Sequence, residues 1–241
     1  VTRTALYRRS IKINDNISVI VPTVGDIVGD DGCGEDKYFN LVAMLTASPI
    51  DMMVQLDDIG VDFTEIDDFA LFLLLFDVIK ESDTSLIFGS LNLNDFRTVV
   101  NPNTGDVVLR SQKDGTVIDS EIHRMIADAL RLTNHLKKDD RKPGNAEAKE
   151  YMIERARKKM QRKKNRAEES QLESLIVAIV NTEQFKYNYT SALDLTIYQF
   201  NESVHQIIKK VEFDNRMHGI YAGTVSAKDL SQDDLNWLTH K

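Results

Sequence analysis

The sequence predicts an α+β protein in three stretches: an acidic N-terminal domain, 1–137, of helices with short antiparallel β-hairpins; a basic helical linker, 138–170; and a C-terminal all-α region, 171–241. Three observations predict it. Short runs that alternate apolar and polar residues, bounded by turn residues, lie before residue 120. Longer segments repeat their apolar residues at helical spacing behind Ser, Thr, Asp or Asn capping positions. Charge is also divided unequally. Lys137 to Arg166 carries 13 Lys or Arg against 5 Asp or Glu, while the whole chain of 241 residues has a net charge of -8. The remainder is therefore at -16, with -11 of it in residues 1 to 136.

The N-terminal elements follow from local pattern. Ser10 to Asn14 and Ile17 to Val21 alternate around Asp15-Asn16 and predict a hairpin that Pro22 ends. Gly25 to Gly34, with Asp26, Asp30 and Asp31, reads as an acidic loop. Tyr38, Leu41, Val42 and Leu45 put a helix over 35–46. Ser48-Pro49 has the form of a helix start, and Gly60 that of a left-handed C-terminal cap. Thr64 with Asp67 suggests a capping box ahead of the run Phe69 to Phe76, a helix expected to be buried nearly all round. Ser85–Phe88, Thr98–Val100, Val107–Arg110 and Thr116–Ile118 predict short strands, with turns at Asn103 to Asp106 and Lys113 to Gly115. Asp119 or Ser120 then caps a helix to about Leu136, with Ile122, Ile126, Ala129 and Leu130 on one face.

Pro143-Gly144 breaks the chain, and Asn145 caps the basic helix. Ala148, Met152, Ala156 and Met160 form a narrow apolar stripe along it. Leu172, Leu175, Ile176 and Ile179 make the next helical face. After a polar loop, Thr196 caps a long helix with Ile197, Phe200, Val204, Ile208 and Val211 inside, ending at Gly219 to Gly223. Ser231 and Asp234 start a short terminal helix carrying Leu235, Trp237 and Leu238.

Composition and motifs narrow the function classes. Hydrophobic residues at 42% and charged residues at 28% fit a globular chain. Cys33 is the single cysteine, so no intrachain disulfide forms, and a reducing compartment is expected. The most apolar stretch, 69–79, is half a membrane span and carries Asp77. Phosphate-loop, dinucleotide-turn and nucleophile-elbow motifs are not present. His123, His135, His205, His218 and His240 lack zinc spacing, with His123 and His205 expected to be packed and hydrogen-bonded. The expectation is a non-enzyme with no cofactor and no metal.

Three groups of residues are candidate contact surfaces. Asp57, Asp58, Asp62, Asp67 and Asp68, with Glu65, form an acidic patch whose spacing does not suit a calcium loop. Leu235, Trp237 and Leu238 have the form of a helix-in-groove anchor, or pack onto their own domain. Arg155, Arg157, Lys158, Lys159, Arg162, Lys163, Lys164 and Arg166 could neutralise phosphate or meet acidic protein surface. No aromatic follows Tyr151 in that helix to stack on bases, which favours protein, with phosphate-backbone binding over Lys149 to Arg166 as the alternative.

Ile20-Val21-Pro22-Thr23-Val24-Gly25, the stretch Met53 to Phe63 running into Phe69 to Phe76, and Gly219-Ile220-Tyr221-Ala222-Gly223 ahead of Leu235-Asn236-Trp237-Leu238 resemble structural-module proteins of tailed phages and prophages of Gram-positive gut bacteria. Proteins of that kind are tail or baseplate assembly factors, tail-assembly chaperones among them. The resemblance implies a non-catalytic role in virion assembly, with other phage structural proteins or further copies of the chain as partners.

Overall fold

The computed structural model describes residues 5–29, 34–101, 105–164, 170–231 and 235–238. It is a mixed fold of helices with two small antiparallel sheets. Strands β1 (Ser10–Lys12) and β2 (Ser18–Ile20) pair with Ile11 opposite Val19, as the alternation predicts. Asn14 closes the turn, its Oδ1 accepting from the amides of Asn16 and Ile17. The expected acidic loop instead begins with a helix, α1 (Val24–Val28). Thr23 and Asp26 form a capping box there, which outweighs the local glycine, and buried Val24 and Ile27 anchor the turn. Cys33, with Asp30 and Asp31, lies outside the described residues.

Helix α2 (Gly34–Thr46) buries Tyr38, Leu41, Val42 and Leu45, the predicted face. The helix expected from Ser48 starts later, as α3 (Met53–Asp58), because Asp51 captures both the amide and the hydroxyl of Ser48 in a turn. Its end is the predicted one. Gly60 has φ +73°, and Gly60 N–H to Asp57 and Val61 N–H to Leu56 complete a Schellman cap. Helix α4 (Asp68–Glu81) is capped by Asp67, not Thr64, whose amide and hydroxyl both donate to Asp62. Leu71, Phe72, Phe76 and Ile79 are buried, but Leu74 and Val78 are each 56% exposed, so the expected all-round burial is wrong: α4 has one solvent face.

Ser85–Phe88, expected as a strand, is a short helix, α5. Asp83 accepts from Ser85 N, and Gly89, with φ +62°, closes the turn. The predicted meander is β3 (Phe96–Val100), β4 (Val107–Ser111) and β5 (Val117–Ile118), in that order in the sheet. Phe96, Leu109, Ser111 and Ile118 face inward. Asp119 caps α6 (Ser120–Thr133), whose end holds His135 in the left-handed region at φ 54°.

After the basic helix α7 (Ala146–Lys164) come α8 (Gln171–Val180), α9 (Tyr189–Leu193) and α10 (Ile197–Tyr221). Helix α9 sits inside the expected polar loop, held by an Asn188–Ser191 capping box. The Thr196 cap of α10 is as predicted. Ile197, Phe200 and Val204 are buried, whereas Ile208 and Val211 are exposed, since the far half of α10 extends beyond the core.

Leu172, Ile176, Ile179, Phe185, Phe200 and Val204 share one buried cluster with Ile17, Val19, Leu41, Phe72, Leu109 and Leu130. The three charge-defined stretches are thus not separate cores. Main-chain bonds join the ends as well: Val24 N–H to Leu195, Ile197 N–H to Pro22, with Thr23 bridged to Thr196. A smaller cluster around Ile50, Met53, Val54, Leu56, Phe63 and Leu71 lies to the side, and α7 rests on it.

Candidate interaction surface

The acidic patch and the basic helix meet each other. Met152, Ile153, Ala156 and Met160 of α7 pack on the smaller cluster. Ala148 of the predicted stripe is half-buried one turn earlier, and Ile153 widens it. Around this apolar seam Lys149 Nζ lies 2.6 Å from Asp62, and Arg157 reaches Asp57 at 2.9 Å and Asp58 at 2.7 Å. Lys138, ahead of the helix, lies 2.6 Å from Asp68. The Lys149 ammonium and the Thr64 amide and hydroxyl hold the Asp62 carboxyl down to about 2. The same contacts raise Lys149 and Arg157 above their usual values. Asp67 has a different task, capping α4.

Docking in this way sorts the basic residues into two sets. Arg157 faces the carboxylates, while Arg155, Lys158, Lys159 and Arg162 are exposed on the opposite side, Lys158 paired with Glu154 one turn away. Nothing is described of the Lys163 and Lys164 side chains, and Arg166 lies outside the described residues. Helix α7 therefore presents cations outward from a rod whose inner face is spent on its own chain. Half-exposed ion pairs of this type contribute little individually and weaken with salt, so the apolar seam supplies most of the adhesion.

A cleft of about 810 Å³ opens between the starts of α4 and α6 and the 138–146 connection, floored by Ile50, Phe63 and Phe69. Its carboxylates have structural duties: Asp67 caps, Asp68 pairs with Lys138, and Asp139 takes a two-point grip on Arg141. His123 lines the cleft wall. It is 3% exposed, stacked on Phe72 at 4.3 Å between centroids, and burial pushes its imidazole down to about 4. Its Nε2 has no hydrogen-bond partner, contrary to the fully bonded histidine expected. His205, also expected to be packed, is exposed, its ring 6.3 Å from that of His135. Among the described residues no group of three His, Cys, Asp or Glu is placed to hold a metal ion.

At the C-terminal end, Trp237 lies back on α10. Its carbonyl accepts from Gln206 Nε2 at 2.8 Å, and the Lys210 ammonium stands 5.4 Å from its ring. Leu235 and Leu238, on either side of it in the chain, are 40% and 67% exposed. Residues 235–238 form turns, and Asp234 of the expected helix start lies outside the described residues. Sequence reasoning missed Glu35, which caps α8 across more than 130 residues, accepting from Leu172 N at 2.9 Å and Gln171 N at 3.0 Å. No local signal marks it, since the acid and the helix it caps belong to different parts of the chain.

Comparison with known families bears on this C-terminal part. Residues 161–241 match the family model described as the YomV second domain. YomV is a Bacillus prophage protein, so the last third of the chain is similar to a phage-associated domain. The match begins near the end of α7 and takes in α8, α9, α10 and the tail with Trp237. The YomV-like segment thus contributes nine of the thirty buried residues of the shared core and carries the exposed end of α10. No curated protein and no solved structure matched the chain. Among the described residues no helix is long and apolar enough to cross a membrane.

Proposed function

We propose that the chain is a non-enzymatic assembly or scaffolding protein of a phage tail or baseplate, acting through protein contacts. The observation that carries this reading is the prophage-associated YomV-like segment. Its α10 runs out of the core and ends in a tail whose Leu235 and Leu238 are exposed beside a self-packed Trp237. That arrangement supplies a small apolar contact along the side of a rigid rod, suited to holding another component in a fixed direction. Purifying the tagged chain from cells expressing the phage structural genes is expected to recover an identified tail or baseplate protein, with recovery falling on Leu238→Asp. Recovery of no such protein by a folded bait overturns the assignment.

A second reading rests on the outward row of Arg155, Lys158, Lys159 and Arg162, four cations whose one ion pair among the described residues is that of Lys158 with Glu154. They could follow a phosphate backbone, with affinity falling steeply as salt rises. A mobility shift on a generic duplex at low salt, lost when these four are changed to Gln, separates the readings.

A further inference from the structure

Strand β3 is an edge of its sheet, and the contacts above leave that edge unused. Which of its main-chain groups face outward follows from the register. Gln112 N–H donates to Asp95 O, and Asn101 N–H to Asp106 O, so residues 95 and 101 point toward the partner strand. Arg97 and Val99, of the same parity, are hydrogen-bonded with Arg110 and Val108. Ser111 N–H donates to Thr116 O, which turns 107, 109 and 111 toward β5 and agrees. Phe96, Thr98 and Val100 therefore direct their N–H and C=O groups away from the sheet. Phe96 is satisfied locally, its N–H by Leu93 O and its carbonyl by Arg97 Nη1 at 2.8 Å. Thr98 and Val100, both exposed, have two N–H and two C=O groups with no partner among the described residues.

The sheet face beside this edge has a chemical preference. Arg97 and Arg110 stand directly opposite each other on it. Like charges in that position repel. Among the described residues neither guanidinium is in an ion pair; Arg97 uses one nitrogen on the carbonyls of Asn94 and Phe96, which leaves three of its N–H donors over. A depression of about 360 Å³ lies between the two arginines, Val99 and Gly115. Natural edges are usually blunted by charge, proline or a covering element. Here the one edge charge is turned back along its own chain.

We propose that the free edge of β3 takes up an extended segment of an acidic protein partner as a fourth strand, with a carboxylate opposite Arg97. The added strand bonds Thr98 and Val100 through its main chain, and its acidic side chain joins Arg97 and Arg110 on one face. Charge decides against a second copy of this chain as the occupant. Antiparallel pairing about Val99 places Asn101 opposite Arg97, pairing about Thr98 places Val99 there, and pairing about Phe96, which would place Asp95 there, needs main-chain groups that Phe96 already spends on Leu93 and Arg97. The proposal holds whether or not the partner belongs to a phage tail.

The test uses the full chain and a capped synthetic peptide, Ser-Val-Glu-Thr-Glu-Val-Ser, with a twin in which both Glu are Gln. Amide exchange at Thr98 and Val100 is expected to be fast in the free protein and to slow saturably with the Glu peptide. The Gln twin should bind about tenfold more weakly, and Arg97→Gln should erase that difference. Thr98→Pro removes an N–H that faces away from β4, so the meander should survive while the peptide effect disappears. No saturable slowing in the wild-type protein, equal affinity for both peptides, or undiminished binding by folded Thr98→Pro each overturns the proposal. Slowing at the same amides that depends on protein concentration alone would give the edge to a second copy and overturn it too.

Discussion

Lys149 and Asp62, separated by 87 positions in the chain, lie 2.6 Å apart and fix the start of the basic helix on the acidic patch. Arg157 repeats the contact two turns later with Asp57 and Asp58. Because these pairs are partly open to water and Ile153 and Met152 are only partly buried, α7 should open before the main core does. Tryptic cleavage within α7 should therefore rise with salt. Ile153→Ala should raise it about tenfold and Lys149→Ala by less, with little change in the urea midpoint of the core. Simultaneous loss of core signal and α7 would show that the helix is not a separable unit.

The Asp62 carboxyl makes this docking acid-sensitive. Its folded value, about 2, is below the ordinary 3.8, so the contribution is complete above about pH 4 and is lost as pH falls toward 2. Amide exchange in α7, corrected for intrinsic pH dependence, should accelerate across that window in the wild type. In Asp62→Asn the acceleration over the window should be smaller.

His123 sets a second, higher window. Burial between Phe72 and Phe69 lowers its folded value to about 4 from 6.5, so the unfolded chain binds the extra proton first. Stability is then complete above pH 6.5 and declines as pH falls from 6.5 toward 4, by on the order of 3 kcal/mol. His123→Phe keeps a ring against Phe72 and should flatten the dependence of the urea midpoint between pH 7 and pH 5. An unchanged slope in that variant would locate the effect elsewhere.

The legible parts of the fold were those in which period and cap agree. The β1–β2 hairpin, the β3–β5 meander and helices α2, α6, α8 and α10 each combine a regular apolar pattern with a stop or start residue close in sequence. Short elements were not legible. The apolar run Leu86 to Phe88 fits a strand or a turn of helix equally, and Asp83 and Gly89 decided it. Val24 to Val28 was hidden by its glycine and acid, although Thr23 and Asp26 are a readable capping box. For the interaction surface, charge asymmetry pointed to acidic protein surface as the place for the basic helix. Which carboxylates it meets depends on the crossing of α3 and α7, and no periodicity in either helix encodes that.

Gly60 tests the cap between α3 and the patch. Its φ of +73° is in the region where a Cβ is strained, yet nothing lies within 4 Å of the position a Cβ would take. Gly60→Ala should thus cost about 1 kcal/mol from backbone strain alone, without a packing term. Gly60→Asn should cost less. Equal losses for Ala and Asn in thermal melts would show that something other than the left-handed conformation is being disturbed.

Glu35 gives the sharpest test of how the C-terminal helices are held. One carboxylate accepts from the amides of Gln171 and Leu172 and from the Ser170 hydroxyl, satisfying unpaired donors at the start of α8 with a negative charge that the helix dipole favours. Ser170 itself accepts from Glu173 N. Glu35→Gln keeps the shape but removes the charge, and should cost about 1 kcal/mol; Glu35→Ala leaves two amides without this acceptor and should cost about 2 kcal/mol. Since Leu172 and Ile176 share the main core, the loss should appear in the single global unfolding transition rather than as early release of α8. A separate early transition in Glu35→Ala would show instead that α8 can detach while the rest of the core stands.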